Sequence, residues 1–196
     1  MIQTPDFDAV YRDDPDPWQV ASSFYEQRKL ALVLACLTRA RYASAWDPAS
    51  GTGELAAKLA GRVDAVLATD GSPEAVQLTT RRCAAVSAVA VRHLSQPERP
   101  GWWRGAGFEL IVVAEFAYYL SAEDRCAMWP VFSASAAPSA EMLLVHWRHR
   151  PHDGYLSGAE VQLEALESLT TSHDWFRVVH HDDQDFVLDV VRREGH

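Results

Sequence analysis

Basic charge is what this sequence has least of. It carries 18 lysines and arginines against 27 aspartates and glutamates, a formal net charge of −9. A protein that grips a phosphate backbone needs a basic face, so no nucleic-acid partner is expected. The balance suits a cationic or neutral small-molecule substrate. Cysteine is scarce too. Cys36, Cys83 and Cys126 are odd in number and widely spaced, which excludes a disulfide framework and the paired spacing of zinc or redox motifs. Reduced thiols and a cytoplasmic location are the expectation, with no metal. Long apolar runs are missing: LALVLACL (30–37) is far too short to span a bilayer, and the acidic start MIQTPDFD has no apolar leader segment. Neither a membrane role nor a secretory signal is expected. Repeats and low-complexity linkers are absent as well.

What remains is enough for one globular domain over residues 1–196, with 48% hydrophobic and 23% charged residues. The opening YRDDPDPWQV is acidic and irregular. Asp16-Pro17 reads as the N-cap and first position of a helix reaching about Ala40, with Leu30, Leu34 and Leu37 at helical spacing. An alternation follows. Strands are predicted at 42–47, 63–70, 86–94, 108–115 and 141–147. Helices are predicted at 53–60 (stopped by Gly61), from Ser72-Pro73 to about Cys83, from Ser121 onward and at 158–169, with Pro130 shortening or kinking the third of these. The chain closes on two strands, 175–181 and 185–191, whose short connection makes them an antiparallel hairpin. The pattern is that of an α/β protein: a mostly parallel, Rossmann-like sheet with an antiparallel edge.

In such sheets ligands bind beyond the carboxyl ends of the strands. The first strand ends at Asp47, and DPASGTG (47–53) brings Gly51 and Gly53 directly after it. Glycine lets a backbone approach a ligand closely and accepts positive φ. Asp70 ends the second strand, where a carboxylate can accept both hydroxyl protons of a ribose. Asp47, the two glycines and Asp70 describe a site for an adenosine-type cofactor. Two cofactors compete for it. Gly51-Thr-Gly53-Glu-Leu-Ala56 satisfies the dinucleotide pattern GxGxxG/A, yet some 40 residues precede it and the sheet consumes the remainder of the chain. S-adenosyl-L-methionine (SAM) fits better, having a ribose for Asp70 and no pyrophosphate.

The segments DPDPWQVASSFYEQRK (14–29), DPASGTG (47–53), ATDGSPEAV (68–76), FELIVVAEFAYYL (108–120) and LLVHWRH (143–149) together resemble the class I SAM-dependent methyltransferases, and more narrowly the nodulation-protein-S-like group. The resemblance implies a seven-stranded sheet of order 3-2-1-4-5-7-6, SAM over the first two strands, and N-methylation, since the namesake methylates an amine of a chitooligosaccharide. It places an aromatic-rich N-terminal segment and helix (1–40) over the cofactor. Trp18 and Tyr25 would cover SAM, and Lys29 or Arg28 would meet its carboxylate. Asp47, Ala49, Gly51, Gly53, Asp70, Gly71, Leu94, Ser95 and Glu115 complete the expected cofactor contacts. The chain departs from the group at Ala49, where a first glycine is common, at Pro138-Ser139-Ala140 in place of Pro-Gly-Gly, and at Gln162, where a histidine is expected.

Methyl transfer from a sulfonium is an in-line displacement that needs no metal, and alignment alone supplies up to roughly 7–11 kcal/mol. An amine nucleophile must first be neutral, and a lysine-like amine has a pKa of about 10.4 in water. Glu115, at the end of the fourth strand, is the first candidate base; turn capping or SAM contact is its alternative role. His146, leaving the fifth strand, is the second, against a plain core role. Tyr118 and Tyr119 are candidates to wall the acceptor pocket, with Tyr119 the nearer to a catalytic part. His146, His149 and His152 enter a Pro-Gly loop and do not converge as metal ligands. HHDDQD (180–185) reads as a solvated hairpin turn. Trp102 and Trp103 read as a cover for the sheet edge. O-methylation, an NAD-dependent oxidoreductase and a non-catalytic SAM-binding protein stand as alternatives, and monomer and homodimer are both open.

Overall fold

The computed structural model describes residues 4–101, 107–171 and 174–195; Trp102 and Trp103 lie outside them. The element order is α1 (Phe7–Asp13), α2 (Phe24–Cys36), β1 (Tyr42–Asp47), α3 (Glu54–Leu59), β2 (Val63–Asp70), α4 (Pro73–Arg82), β3 (Val89–His93), β4 (Phe108–Ala114), a 3-10 turn (Ala117–Tyr119), α5 (Ala122–Ser135), β5 (Ala136–Trp147), α6 (Gly158–Thr171), β6 (Trp175–Asp182) and β7 (Phe186–Arg193). The strands form a seven-stranded sheet of order β3-β2-β1-β4-β5-β7-β6. This is the predicted α/β Rossmann-like order, with β6 and β7 as the antiparallel hairpin. Two compact units divide the chain: Pro5–Ser95, and the chain from Gln96 onward with Thr4.

In the first unit β1 and β2 pair in parallel with Asp47 opposite Ala68, and β2 and β3 with Asp70 opposite His93. The strands are buried because their apolar residues are near-continuous: Ala45, Trp46, Val66, Leu67 and Ala68 are all at most 1% exposed. One polar pair is carried inside, with the Trp46 indole N–H donating to Thr69 Oγ1 at 2.9 Å. α4 begins as its sequence dictates, with Ser72 capping the Ala75 N–H and Pro73 at the first helical position.

The N-terminal segment departs from its sequence reading. No single helix runs from Pro17. α1 comes first, capped by the Asp6 side chain on the Ala9 N–H, and α2 starts only at Phe24. Asp16 caps a turn instead: its carboxylate accepts from the Val20 and Ala21 N–H groups at 2.7 and 3.1 Å, and Gln19 takes a φ of 54°. That left-handed residue breaks the helical path.

In the second unit β4 and β5 pair in parallel, and β5 and β7 antiparallel. β5 starts five residues earlier than predicted, at Ala136, through a register irregularity between Phe108 and Leu110. Ser139 lies in this stretch with a φ of 59°. It therefore occupies, at a cost, the left-handed conformation for which a glycine was expected. α5 runs unshortened through Pro130 to Ser135, because Met128, Trp129 and Phe132 bury one face completely enough to outweigh the lost backbone bond. No helix among the described residues is long and apolar enough to cross a membrane.

Candidate functional site

The loop from β1 to α3 is held both by backbone bonds and by side chains of α4. The Ser50 N–H donates to Thr69 O at 2.9 Å, and the Gly53 N–H to Ser50 O at 2.8 Å. Thr79 Oγ1 donates to Gly51 O at 2.9 Å, and Arg82 Nε to Thr52 O at 2.7 Å. Both glycines are left-handed, Gly51 at φ 51° and Gly53 at 80°. A Cβ on Gly53 would stand 2.9 Å from Thr79 Cα, so the loop packs on the backbone of α4 and only glycine fits.

Asp70 ties this loop to the tip of β2. Its Oδ2 accepts from the Gly51 N–H and its Oδ1 from the Ser72 N–H, each at 2.9 Å. A carboxylate has about four acceptor positions, so each oxygen keeps capacity for a further donor. Burial nevertheless raises the Asp70 carboxyl above its ordinary value, against the lowering effect of those two N–H groups and of His93. Asp47 is deeper still, at 1% exposure, and its Oδ2 has no hydrogen-bond partner among the described residues. Burial, with the Asp70 charge added, pushes its carboxyl up to about 8. An unsatisfied buried oxygen beside a glycine turn is costly, and such cost concentrates at binding sites.

The other expected cofactor residues of this unit are spread around the same strand tips. Ala49 is half-buried in the loop. Gly71 is exposed, its carbonyl accepting from His93 Nε2 at 2.9 Å, and a Cβ there would lie 3.2 Å from Ser95 Oγ. Leu94 is buried, its N–H donating to Asp70 O at 3.0 Å. Lys29 is 4% exposed, which excludes a solvated helix face; its ammonium meets Glu26 at 3.0 Å and lies 4.8 Å from the Tyr25 ring centroid. Trp18 is 42% exposed and packs in the turn before α2.

Its ring partners were not singled out in the sequence. Trp18 meets Tyr11 edge-on at 5.7 Å and Phe7 at 6.4 Å. The Tyr11 hydroxyl reaches the glycine turn, 2.8 Å from where a Gly51 Cβ would be. Asp8 explains why α1 sits there: its Oδ1 accepts from Ser72 Oγ at 2.5 Å and the Glu74 N–H at 3.3 Å, docking α1 on the start of α4. Asp8 and Ser72 are 64 positions apart, and the sequence carries no local signal of this pairing. An aromatic at helical spacing from an acidic residue, Phe7-Asp8-Tyr11, was the only available hint.

The second unit holds the remaining candidates. Glu115 directly follows β4 with a φ of 60°, and its N–H donates to Val145 O at 3.0 Å. Its Oε2 accepts from the Tyr118 hydroxyl at 2.6 Å and the Trp147 N–H at 2.8 Å. Tyr118 meets Tyr119 edge-on at 4.7 Å and His146 at 5.4 Å. His146 is fully buried, and a Cβ on Gly158 would stand 2.7 Å from its own Cβ, so α6 starts pressed on β5. Burial, then the Asp153 and Glu115 charges, push the Tyr119 phenol well above its ordinary value, so it keeps its proton at neutral pH. Gln162 is buried as a bracket, its Nε2 donating to Leu144 O at 3.2 Å and Asp189 Oδ2 at 3.0 Å.

A family model described as nodulation protein S matches residues 8–179. The chain belongs to the nodulation protein S family. The family is one of class I SAM-dependent methyltransferases, and the sheet order agrees with that fold. A candidate methyltransferase from Pseudomonas syringae is 34% identical, with 87% of this chain and 100% of that one covered and a TM-score of 0.71. The N-methyltransferase NodS from Bradyrhizobium japonicum WM9, solved with S-adenosyl-L-homocysteine (SAH), is 18% identical, covers 96% of this methyltransferase and 99% of its own length, and has a TM-score of 0.75. A complex of DhpI with SAH is 20% identical over 97% and 95% of the two chains, with a TM-score of 0.70. No curated protein matches this family member in sequence.

Proposed function

We propose that the protein N-methylates a small-molecule amine, with SAM as donor. The donor assignment is supported by the fit of the first unit to a nucleoside carrying an amino-acid tail. Asp70 has acceptor capacity for ribose hydroxyls, the left-handed glycines keep the loop surface bare, and Asp47 carries a buried oxygen with no partner. SAM and SAH in complexes of neighbouring folds support the same donor. Bound SAM supplies a methyl group on a sulfonium, with a neutral thioether as leaving group.

The observation that carries the amine reading is Glu115. A carboxylate at a strand's carboxyl end, held in left-handed backbone by contacts from three residues, is built to present charge in one direction. It attracts an ammonium and accepts its proton, leaving the nitrogen lone pair to attack. His146, edge-on to Tyr118, and Tyr119, kept as a phenol, border this carboxylate's partner and shape the acceptor side. An excess of nine negative charges favours approach of a cationic substrate. The namesake fold, an N-methyltransferase, points the same way.

The test is turnover of methyl-labelled SAM with a panel of amino sugars and other amines, beside the matching alcohols. Label on nitrogen supports the proposal; label on oxygen alone replaces it with O-methylation. Calorimetry with SAH and NAD checks the donor separately: SAH binding at micromolar concentration without NAD binding is the expected result.

A further inference from the structure

We infer that Tyr118 is a positioning residue that fixes the direction of the Glu115 carboxylate and so sets the efficiency of acceptor deprotonation. This rests on the role proposed above for Glu115. The sequence offered Tyr118 only as a pocket wall; its hydroxyl proves to be a side-chain donor to the candidate base.

The geometry is specific. Glu115 is a non-glycine residue at φ 60°, a strained conformation that persists only where neighbours over-determine it. Several described groups do so here: Val145 O receives its N–H, and the Trp147 N–H and the Tyr118 hydroxyl both donate to Oε2. A hydroxyl donating to a carboxylate at 2.6 Å is in the short range of charge-assisted bonds. Two donors converging on one oxygen remove rotation of the carboxylate about its last bond. The Trp147 donor is backbone, so the Tyr118 hydroxyl is the half of this pair that a side-chain substitution removes.

Tyr118 can hold direction because it cannot move. It is 4% exposed, wedged edge-on between Tyr119 and His146, and its main-chain oxygen accepts from the Tyr155 N–H at 2.8 Å. Tyr119 and His146, the other two catalytic candidates, thus contact the residue that orients the base. In the step itself the acceptor's N–H proton passes to the Glu115 carboxylate. The nitrogen lone pair forms the new N–C bond, and the electron pair of the broken C–S bond stays on sulfur. Tyr118 keeps its proton throughout and acts only through Glu115.

The experiment is a double-mutant cycle on the full chain, using the best amine found for the wild type. Tyr118→Phe removes one hydroxyl and should lower acceptor kcat/KM roughly ten- to a hundredfold, with donor KM and SAH affinity unchanged. Combined with Glu115→Gln, it should lower kcat/KM no further. Glu115→Asp, which withdraws the carboxylate from the Tyr118 hydroxyl, should cost a similar factor, and keeps the idea testable if Tyr118→Phe does not fold. Equal losses from Tyr118→Phe in wild-type and Glu115→Gln backgrounds, or full activity in Glu115→Asp, would overturn the inference. A wild type that methylates no amine would instead sink the functional reading beneath it.

Discussion

Asp47 offers the most quantitative prediction. Its carboxyl is buried, lacks a partner on Oδ2, and is pushed from 3.8 up to about 8 by burial and by Asp70. The folded protein therefore holds a proton that the unfolded chain has already released at pH 6. The sign follows: this site's contribution is fully present below the ordinary carboxyl value and is lost as pH rises through about 8. At 1.36 kcal/mol per pH unit, the whole interval corresponds to an upper limit of about 6 kcal/mol. Between pH 6 and 8, where the folded group is half-ionised at the upper end, the expected loss is about 2 kcal/mol. For a chain of 196 residues that is a fall of about 4–8 °C in Tm. Asp47→Asn keeps the shape and removes the titration. The measurement is thermal unfolding of the ligand-free wild type and of Asp47→Asn in steps from pH 6 to 9. The wild-type curve should fall towards alkaline pH relative to the variant, which should be the more stable protein at pH 8.5. Parallel curves would show that Asp47 is ionised, or solvated, in the folded state, and would remove the reason for calling its oxygen a ligand contact.

Asp70→Ala should weaken SAH by about 1–3 kcal/mol, because a charged partner for two hydroxyls is lost; unchanged affinity in calorimetry would misplace the ribose. Glu115→Gln should cut turnover by about a hundredfold or more while leaving SAH affinity within a few-fold, and the opposite split would make it a binding residue only. Gly53→Ala forces a side chain into left-handed backbone and against Thr79 Cα, so Tm should fall by an amount equivalent to about 1–3 kcal/mol; an unaltered Tm would mean the loop has room that the structure denies. Asp8→Ala should free α1 from α4, read as faster amide exchange at Val10 and Asp14 with β1 and β2 unaffected. Acid should do the same, because the Ser72 hydroxyl holds the Asp8 carboxyl below its ordinary value and the contact is lost only as pH falls through that lowered range.

The elements that could be read from sequence share one property: their determinants are neighbours in the chain. β1 and β2 fall at 42–47 and 63–70 as predicted, because continuous apolar runs ended by aspartate are local patterns. The start of α4 is written in Ser72-Pro73, and the terminal hairpin in the few polar residues between its strands. The same logic failed where two local rules conflicted. Asp16-Pro17 looks like a helix start, yet Asp16 caps Val20 and Ala21, and Gln19 turns left-handed, so α2 begins seven residues later than the proline. Pro130 looks like a helix breaker, yet Trp129 and Phe132 keep α5 whole by burial that no window of sequence can measure.

By itself, then, the sequence determined the strand-helix alternation, the glycine turn at 51–53 with acids on either side, and the family to which these belong. Only the tertiary structure decided which groups meet: Asp8 with Ser72, Tyr11 with Gly51, Tyr118 and the Trp147 N–H on Glu115, and an Asp47 oxygen left with no partner. The physical reason is range. Periodicity and capping act over a few residues and leave a mark in order along the chain, whereas desolvation and side-chain hydrogen bonds depend on what folding brings within 3 Å, however far apart it lies in the sequence.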